Sequence, residues 1–189
     1  MKNSKVFKLT VTALMAALAY VSFTFLQIKI VTPGGVTSFH LGNAFVLLAA
    51  LIVGGVPGGI AGAIGMGIGD LLDPIYITYA PKTIILKFMI GVVTGLVDHK
   101  LIKVNELEGK KLYLGVILSC TAGMLFNIVG EPLFGYFYTS VILGASSQAA
   151  LALASYNFMT TIVNAILSII IASTLYVIIK PRIEHYLSK

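Results

Sequence analysis

The sequence holds no tryptophan, one cysteine and few charges. Only 11% of its residues are charged, while 58% are hydrophobic. A soluble domain of 189 residues has too little interior for that much apolar surface, so lipid is the expected solvent. The lone Cys120 excludes an internal disulfide, and its place in an apolar run marks it as a packing residue. Without tryptophan, any binding site must stack its ligand on tyrosine, phenylalanine or histidine. Acidic residues are scarce as well, 7 against 13 basic. The excess of +6 might be read as a nucleic-acid footprint, but the basic residues are distributed as in a membrane protein. No nucleic-acid partner is expected.

Signatures of catalysis are also missing. There is no His-Glu-x-x-His and no Ser/His pair at suggestive positions. Of the three histidines, His40, His99 and His185, two fall in charged connecting segments. Neither an enzyme, a cofactor nor a metal cluster is expected.

What is present is a series of six apolar segments, near 7–28, 40–54, 57–73, 82–98, 112–134 and 157–180. The first has no small-residue cleavage site after it and reads as a retained helix rather than a signal peptide. The expected fold is an all-α integral membrane protein, one six-helix domain over residues 1–189. Breaks fall at "VTPGGVTS", "GGVPGG", "LLDPIYITYAPK", "DHKLIKVNELEGKK" and a long stretch after Gly135, whose fold the pattern leaves open. The second to fourth segments are short for a bilayer core of about 30 Å and have glycine or proline at their ends. Such segments often line transporter sites.

Charge orients the spans. Lys2, Lys5 and Lys8 precede the first segment. Lys100, Lys103, Lys110 and Lys111 lie between the fourth and fifth, and Lys180, Arg182 and Lys189 end the chain. Six spans put all three groups on one side, which the positive-inside rule makes the cytoplasm, with both termini there, in a multi-pass protein of the cell membrane.

On this topology the polar residues inside the spans converge. His40 and Asn43 open the second segment and Asp70 closes the third. Lys82, Thr83 and Lys87 open the fourth, Asn127 and Glu131 lie near the end of the fifth, and Asn157, Thr160, Thr161 and Asn164 open the sixth. Because helix direction alternates, all of these positions fall in the outer half of the bilayer. A charge inside lipid costs several kcal/mol unless paired or hydrated, so a shared polar cavity is the expected reason. The inner halves are almost purely apolar and would close it.

The stretch "GGVPGGIAGAIGMGIGD", residues 54–70, lacks the Gly-Lys-Ser/Thr ending of a phosphate loop. Its glycines recur every four residues and suit close helix packing. Close packing would hold Asp70 within reach of Lys82 or Lys87. Whether Asp70, Lys87 and Glu131 touch a ligand or only pair structurally is open at this point. His40 and Asn43 could equally cap the second helix, and Asn157 the sixth. Asp73, before Pro74, reads as a turn residue. Tyr76, Tyr79, Tyr136 and Tyr138 read either as an interfacial belt or as rings at a pocket mouth.

Taken together, "TALMAALAYV", "TSFHLGNAFVLLAALIVGGVPGGIAGAIGMGIGDLL" and "YAPKTIILKFMIGVVTGLV" resemble the substrate-binding S components of energy-coupling factor (ECF) vitamin transporters. The resemblance covers the whole chain. It is similar to the branch with carriers for riboflavin, pyridoxine and hydroxymethylpyrimidine. It implies a subunit that binds a vitamin from outside, docks on a membrane T component coupled to two ATPases, and topples to release its ligand inside. It further implies a docking motif at Ala13 and Ala17, and a loop "KIVTPGGVTS" closing over the pocket, with Pro33, Gly34 and Gly35 as hinge positions. The resulting substrate-contact set is His40, Asn43, Asp70, Tyr79, Lys87, Asn127, Glu131, Tyr136, Asn157 and Asn164. A pyridoxine-type vitamin or hydroxymethylpyrimidine comes first and riboflavin second. A stand-alone secondary transporter is the alternative, but internal repeats and midplane coupling charges are missing.

Overall fold

The structure, a computed structural model, describes residues 2–187, and side chains from 5 to 183. Lys189 and the side chains of Lys2 and His185, used in the charge argument above, lie outside the described residues. The elements are α1 (Lys2–Phe25), β1 (Ile28–Thr32), β2 (Gly35–Phe39), α2 (Gly42–Val53), α3 (Gly55–Leu72), α4 (Ala80–Leu96), α5 (Gly109–Phe137) and α6 (Ser147–Leu187). Short 3-10 and π turns flank α4 and follow α5.

Among the described residues, five helices are long and apolar enough to cross a membrane, and α2 is a sixth, shorter apolar helix. Its 12 residues span only about 18 Å, well short of a bilayer core. Every residue of α2 except Phe45 is buried. A helix apolar on all sides must be wrapped, and α1, α3, α4 and α6 pack around it.

The glycine ladder of α3 serves three neighbours at once. Gly55 and Gly59 meet Gly95 and Gly91 of α4 backbone to backbone. Gly62 lies against Val46 of α2, and a Cβ on Gly58 would stand 2.6 Å from the Ala50 Cα. Gly65 and Gly69 press on Ala16 and Phe23 of α1. The spacing-based expectation of close packing is met on all three sides. At the α2–α3 corner, Gly54 has φ 102°, a conformation that favours glycine and lets the chain reverse in one residue.

Two segments depart from the expected helix-and-loop pattern. The stretch expected as a plain loop between the first two helices is an antiparallel hairpin, paired from Ile28↔Phe39 to Thr32↔Gly35. The β-branched runs IKIVT and GVTSF on either side of Pro33-Gly34 explain it. The long stretch left open after Gly135 is mostly helix. α5 continues to Phe137, the chain breaks around Gly144 with φ 69°, and α6 starts at Ser147, ten residues before the expected 157. Ser146 accepts the Ala149 N–H on its hydroxyl, and the Ala- and Leu-rich run that follows favours helix.

Candidate functional site

The starts of α2 and α4, the ends of α3 and α5, and the first half of α6 meet at one end of the bundle, beneath the hairpin. They enclose a polar cavity of about 70 Å³. His40, Asn43, Asp70, Tyr79, Lys87, Asn127, Glu131, Asn157 and Asn164 all line it. Nine of the ten expected contact positions thus share one space.

Tyr136 is the exception. It is not in the lining, and its ring stands 5.8 Å from Phe137. Because α5 stays helical past Glu131, Tyr136 sits roughly 140° around the axis from it. Gly135 faces the site instead; a Cβ there would lie 3.7 Å from both Asn157 Nδ2 and Lys82 Nζ.

Glu131 is the electrostatic centre. Lys82 is ion-paired to it directly, and Lys87 Nζ stands 3.9 Å from its second oxygen. Lys87 also donates to Asn127 Oδ1 at 3.4 Å, and Lys82 Nζ lies 5.6 Å from the centroid of the Tyr79 ring. The expected pairing of Asp70 with a lysine does not form. Asp70 is 2% exposed with the Thr83 hydroxyl beside it, while both lysines are engaged by Glu131 of α5. By formal count, the two lysines balance the two carboxylates in the lining.

The hairpin is held over this cavity by α6 and by the α3–α4 connection. The Thr37 and Thr160 hydroxyls are 2.9 Å apart. Asn164 accepts the His40 N–H at 3.1 Å and donates to the Ser38 carbonyl at 3.0 Å, so one amide reads the end of β2. At the tip, Gly34 is pressed against Ala149 and Leu153 of α6. At the base, Lys29 donates to Asp73 at 2.5 Å and sits 5.1 Å from the centroid of the Tyr76 ring.

The capping alternatives are not realised. The residue before α2 is Leu41, and no side chain caps that helix. Asn157 lies ten residues inside α6. Freed from capping, Asn43 is 1% exposed with neither amide atom hydrogen-bonded within the protein, and His40 Nδ1 is likewise unpartnered. The His40 ring is held edge-on by Phe23, centroids 4.9 Å apart. Ala13 and Ala17 lie on an exposed face of α1, outside the pocket lining.

The lining also contains residues left off the expected contact set: Phe23, Thr37, Ser38, Lys82 and Thr83 among them. Lys82 and Thr83 stand in the quoted Ala-Pro-Lys-Thr and were legible as polar openers of α4. Thr37 and Ser38 required recognising the hairpin. Among the described residues, no group of three His, Cys, Asp or Glu side chains could hold a metal ion.

A relative from Pyrococcus woesei, described as an "Uncharacterized protein in gap 3'region", is 26% identical over 163 residues. The match covers 86% of this chain and 96% of that protein. No solved structure matches the chain. The family model for the ECF-type riboflavin transporter, S component, matches residues 3–181. With five membrane-length helices, a short buried sixth and a polar cavity at one end, the chain belongs to the S-component family of ECF-type vitamin transporters.

Proposed function

We propose that this chain captures a small, uncharged, hydroxylated heteroaromatic vitamin, of the pyridoxine or hydroxymethylpyrimidine type. It would do so from outside the cell membrane, with both termini cytoplasmic, and hand the vitamin to a T component driven by two ATPases. The observation that carries the reading is the buried Asn43 amide with His40 Nδ1 beside it, unpartnered at a site whose formal charges balance. Buried polar groups are nearly always hydrogen-bonded, and a ligand with ring nitrogens and hydroxyls supplies both donors and acceptors. Phe23, Tyr76 and Tyr79 supply the rings against which a flat ligand can lie.

Volume favours one ring over three. An apolar cavity of about 150 Å³ is known to take up benzene. At about 70 Å³ the site must open somewhat even for a single ring, by movement of the hairpin or of side chains. A tricyclic ligand would demand far more. Riboflavin is the second reading, favoured by the family match.

Mass spectrometry of small molecules retained through purification tests this directly. A pyridoxine-type vitamin or hydroxymethylpyrimidine is expected. A yellow preparation carrying riboflavin would establish the second reading. In liposomes the chain alone should bind ligand without accumulating it, and gradient-driven uptake by the chain alone would establish a secondary transporter instead.

A further inference from the structure

At the end of the bundle opposite the polar pocket lies a second, larger cavity of about 450 Å³. It opens between the start of α1, the α2–α3 corner and the end of α4. Its origin is the short α2, which turns back at Gly54 where no neighbouring atom lies within 4 Å of an added Cβ. The walls are apolar, formed by Ile52, Val53, Val56, Val92 and Leu96. The rim is cationic, carrying Lys8 and Lys100, both exposed, with His99 beside them. Among the described residues no carboxylate is in the lining; Asp98, 3.2 Å from His99 Nε2, is fully buried behind it.

We infer that this recess is a binding site for an anionic phospholipid. An apolar recess at the end of membrane spans calls for an acyl chain, and paired lysines at its mouth call for a phosphate without a compensating cation. Basic pockets between transmembrane helices recognise acidic headgroups in this way. A zwitterionic lipid would fill the walls but leave the lysines facing its own ammonium. Free phosphate would satisfy the lysines and leave the walls empty. Lys8 and Lys100 can lay their methylene stems along the recess while their ammonium groups reach the headgroup level. The site is independent of the vitamin pocket and does not rest on the identity of the vitamin.

The full-length protein, purified in neutral detergent, is to be titrated with phosphatidylglycerol or phosphatidylcholine and read by native mass spectrometry. Phosphatidylglycerol should be retained preferentially, and inorganic phosphate should not displace it. The double substitution Lys8→Gln, Lys100→Gln should reduce the preference on the order of 30-fold. Leu96→Trp, which fills a wall, should reduce retention of both lipids. Vitamin binding, measured in parallel, should be unchanged in both variants, showing that they are folded. Equal retention of the two lipids, an unchanged preference in the double variant, or displacement by phosphate would each overturn the inference. So would protection of both lysines by a bound T component with no lipid retained, which would make the recess a protein interface.

Discussion

Lys82 and Glu131, 49 residues apart in sequence, form a nearly buried ion pair that joins α4 to α5 at the polar cavity. Lys87 approaches the same carboxylate from the next turn of α4. Removing one partner of a buried pair leaves an uncompensated charge, which costs about 3–5 kcal/mol in soluble proteins. Glu131→Gln is therefore expected to lower unfolding stability by that order, measured by denaturant titration in detergent. Lys82→Met combined with Glu131→Gln should regain part of the loss and none of the vitamin affinity. A stable Glu131→Gln variant would contradict the paired geometry.

Asp70 is close to both lysines but bonded to neither. The double-mutant cycle Asp70→Asn with Lys87→Met should accordingly show a coupling energy below about 1 kcal/mol. Asp70→Asn alone should keep the interaction with Thr83, because an amide oxygen still accepts a hydroxyl hydrogen bond. A coupling of several kcal/mol would restore the Asp70–Lys87 pair that close packing led one to expect.

The hairpin base is tied down by Lys29 and Asp73. Partial burial acts to raise the Asp73 carboxyl, but hydrogen bonds from Lys29 and the Ile75 N–H, together with the Lys29 charge, outweigh it and hold the carboxyl below its usual range. A depressed carboxylate contributes stability above its ordinary pKa of about 3.9 and loses it as pH falls through the lowered value. Lys29 is about one-third exposed, so the tie contributes at most about 1 kcal/mol. Because Asp73 stays ionised there, vitamin release rates should not change through its titration between pH 5 and 8 and should rise under stronger acid. Asp73→Asn should give faster release already at pH 7 and remove this acid response, as stopped-flow fluorescence can show.

Asn164 bonds the end of the hairpin twice. Asn164→Ala should cost about 1–3 kcal/mol in stability, because the buried His40 N–H and Ser38 carbonyl lose their partner. Vitamin dissociation should accelerate more than association slows. Equal effects on both rates would place Asn164 in ligand contact rather than in closure of the hairpin.

Ala13 and Ala17 remain exposed on α1, four residues apart. Replacing both with Leu should disrupt close helix contact with a T component and abolish uptake while leaving vitamin affinity within about twofold of the parent. Normal transport by this variant would remove these residues from the docking surface.

Much of the molecule was legible in one dimension. Hydropathy located the helices, since backbone groups in lipid must be satisfied within each segment. The glycine spacing marked α3 as a tightly packed helix, and its contacts with α1, α2 and α4 bear this out. Alternating helix direction was enough to bring His40, Asn43, Asp70, Lys87, Asn127, Glu131, Asn157 and Asn164 to one end of the bundle. The hairpin was legible too, in the alternating β-branched residues around Pro33-Gly34, but a break between apolar segments invites reading as a plain loop.

Depth along a helix follows from residue count, and the sequence alone determined it. Rotation about the helix axis does not follow from residue count, and only the tertiary structure decided it. That rotation sends Lys82 and Lys87 to Glu131 rather than Asp70 and turns Tyr136 out of the site while Gly135 looks in. It depends on how bare backbone meets bare backbone at Gly59 and Gly91, a contact between segments 32 positions apart. Local pattern sets where a polar group sits in the membrane, and packing between distant segments sets which partner it faces.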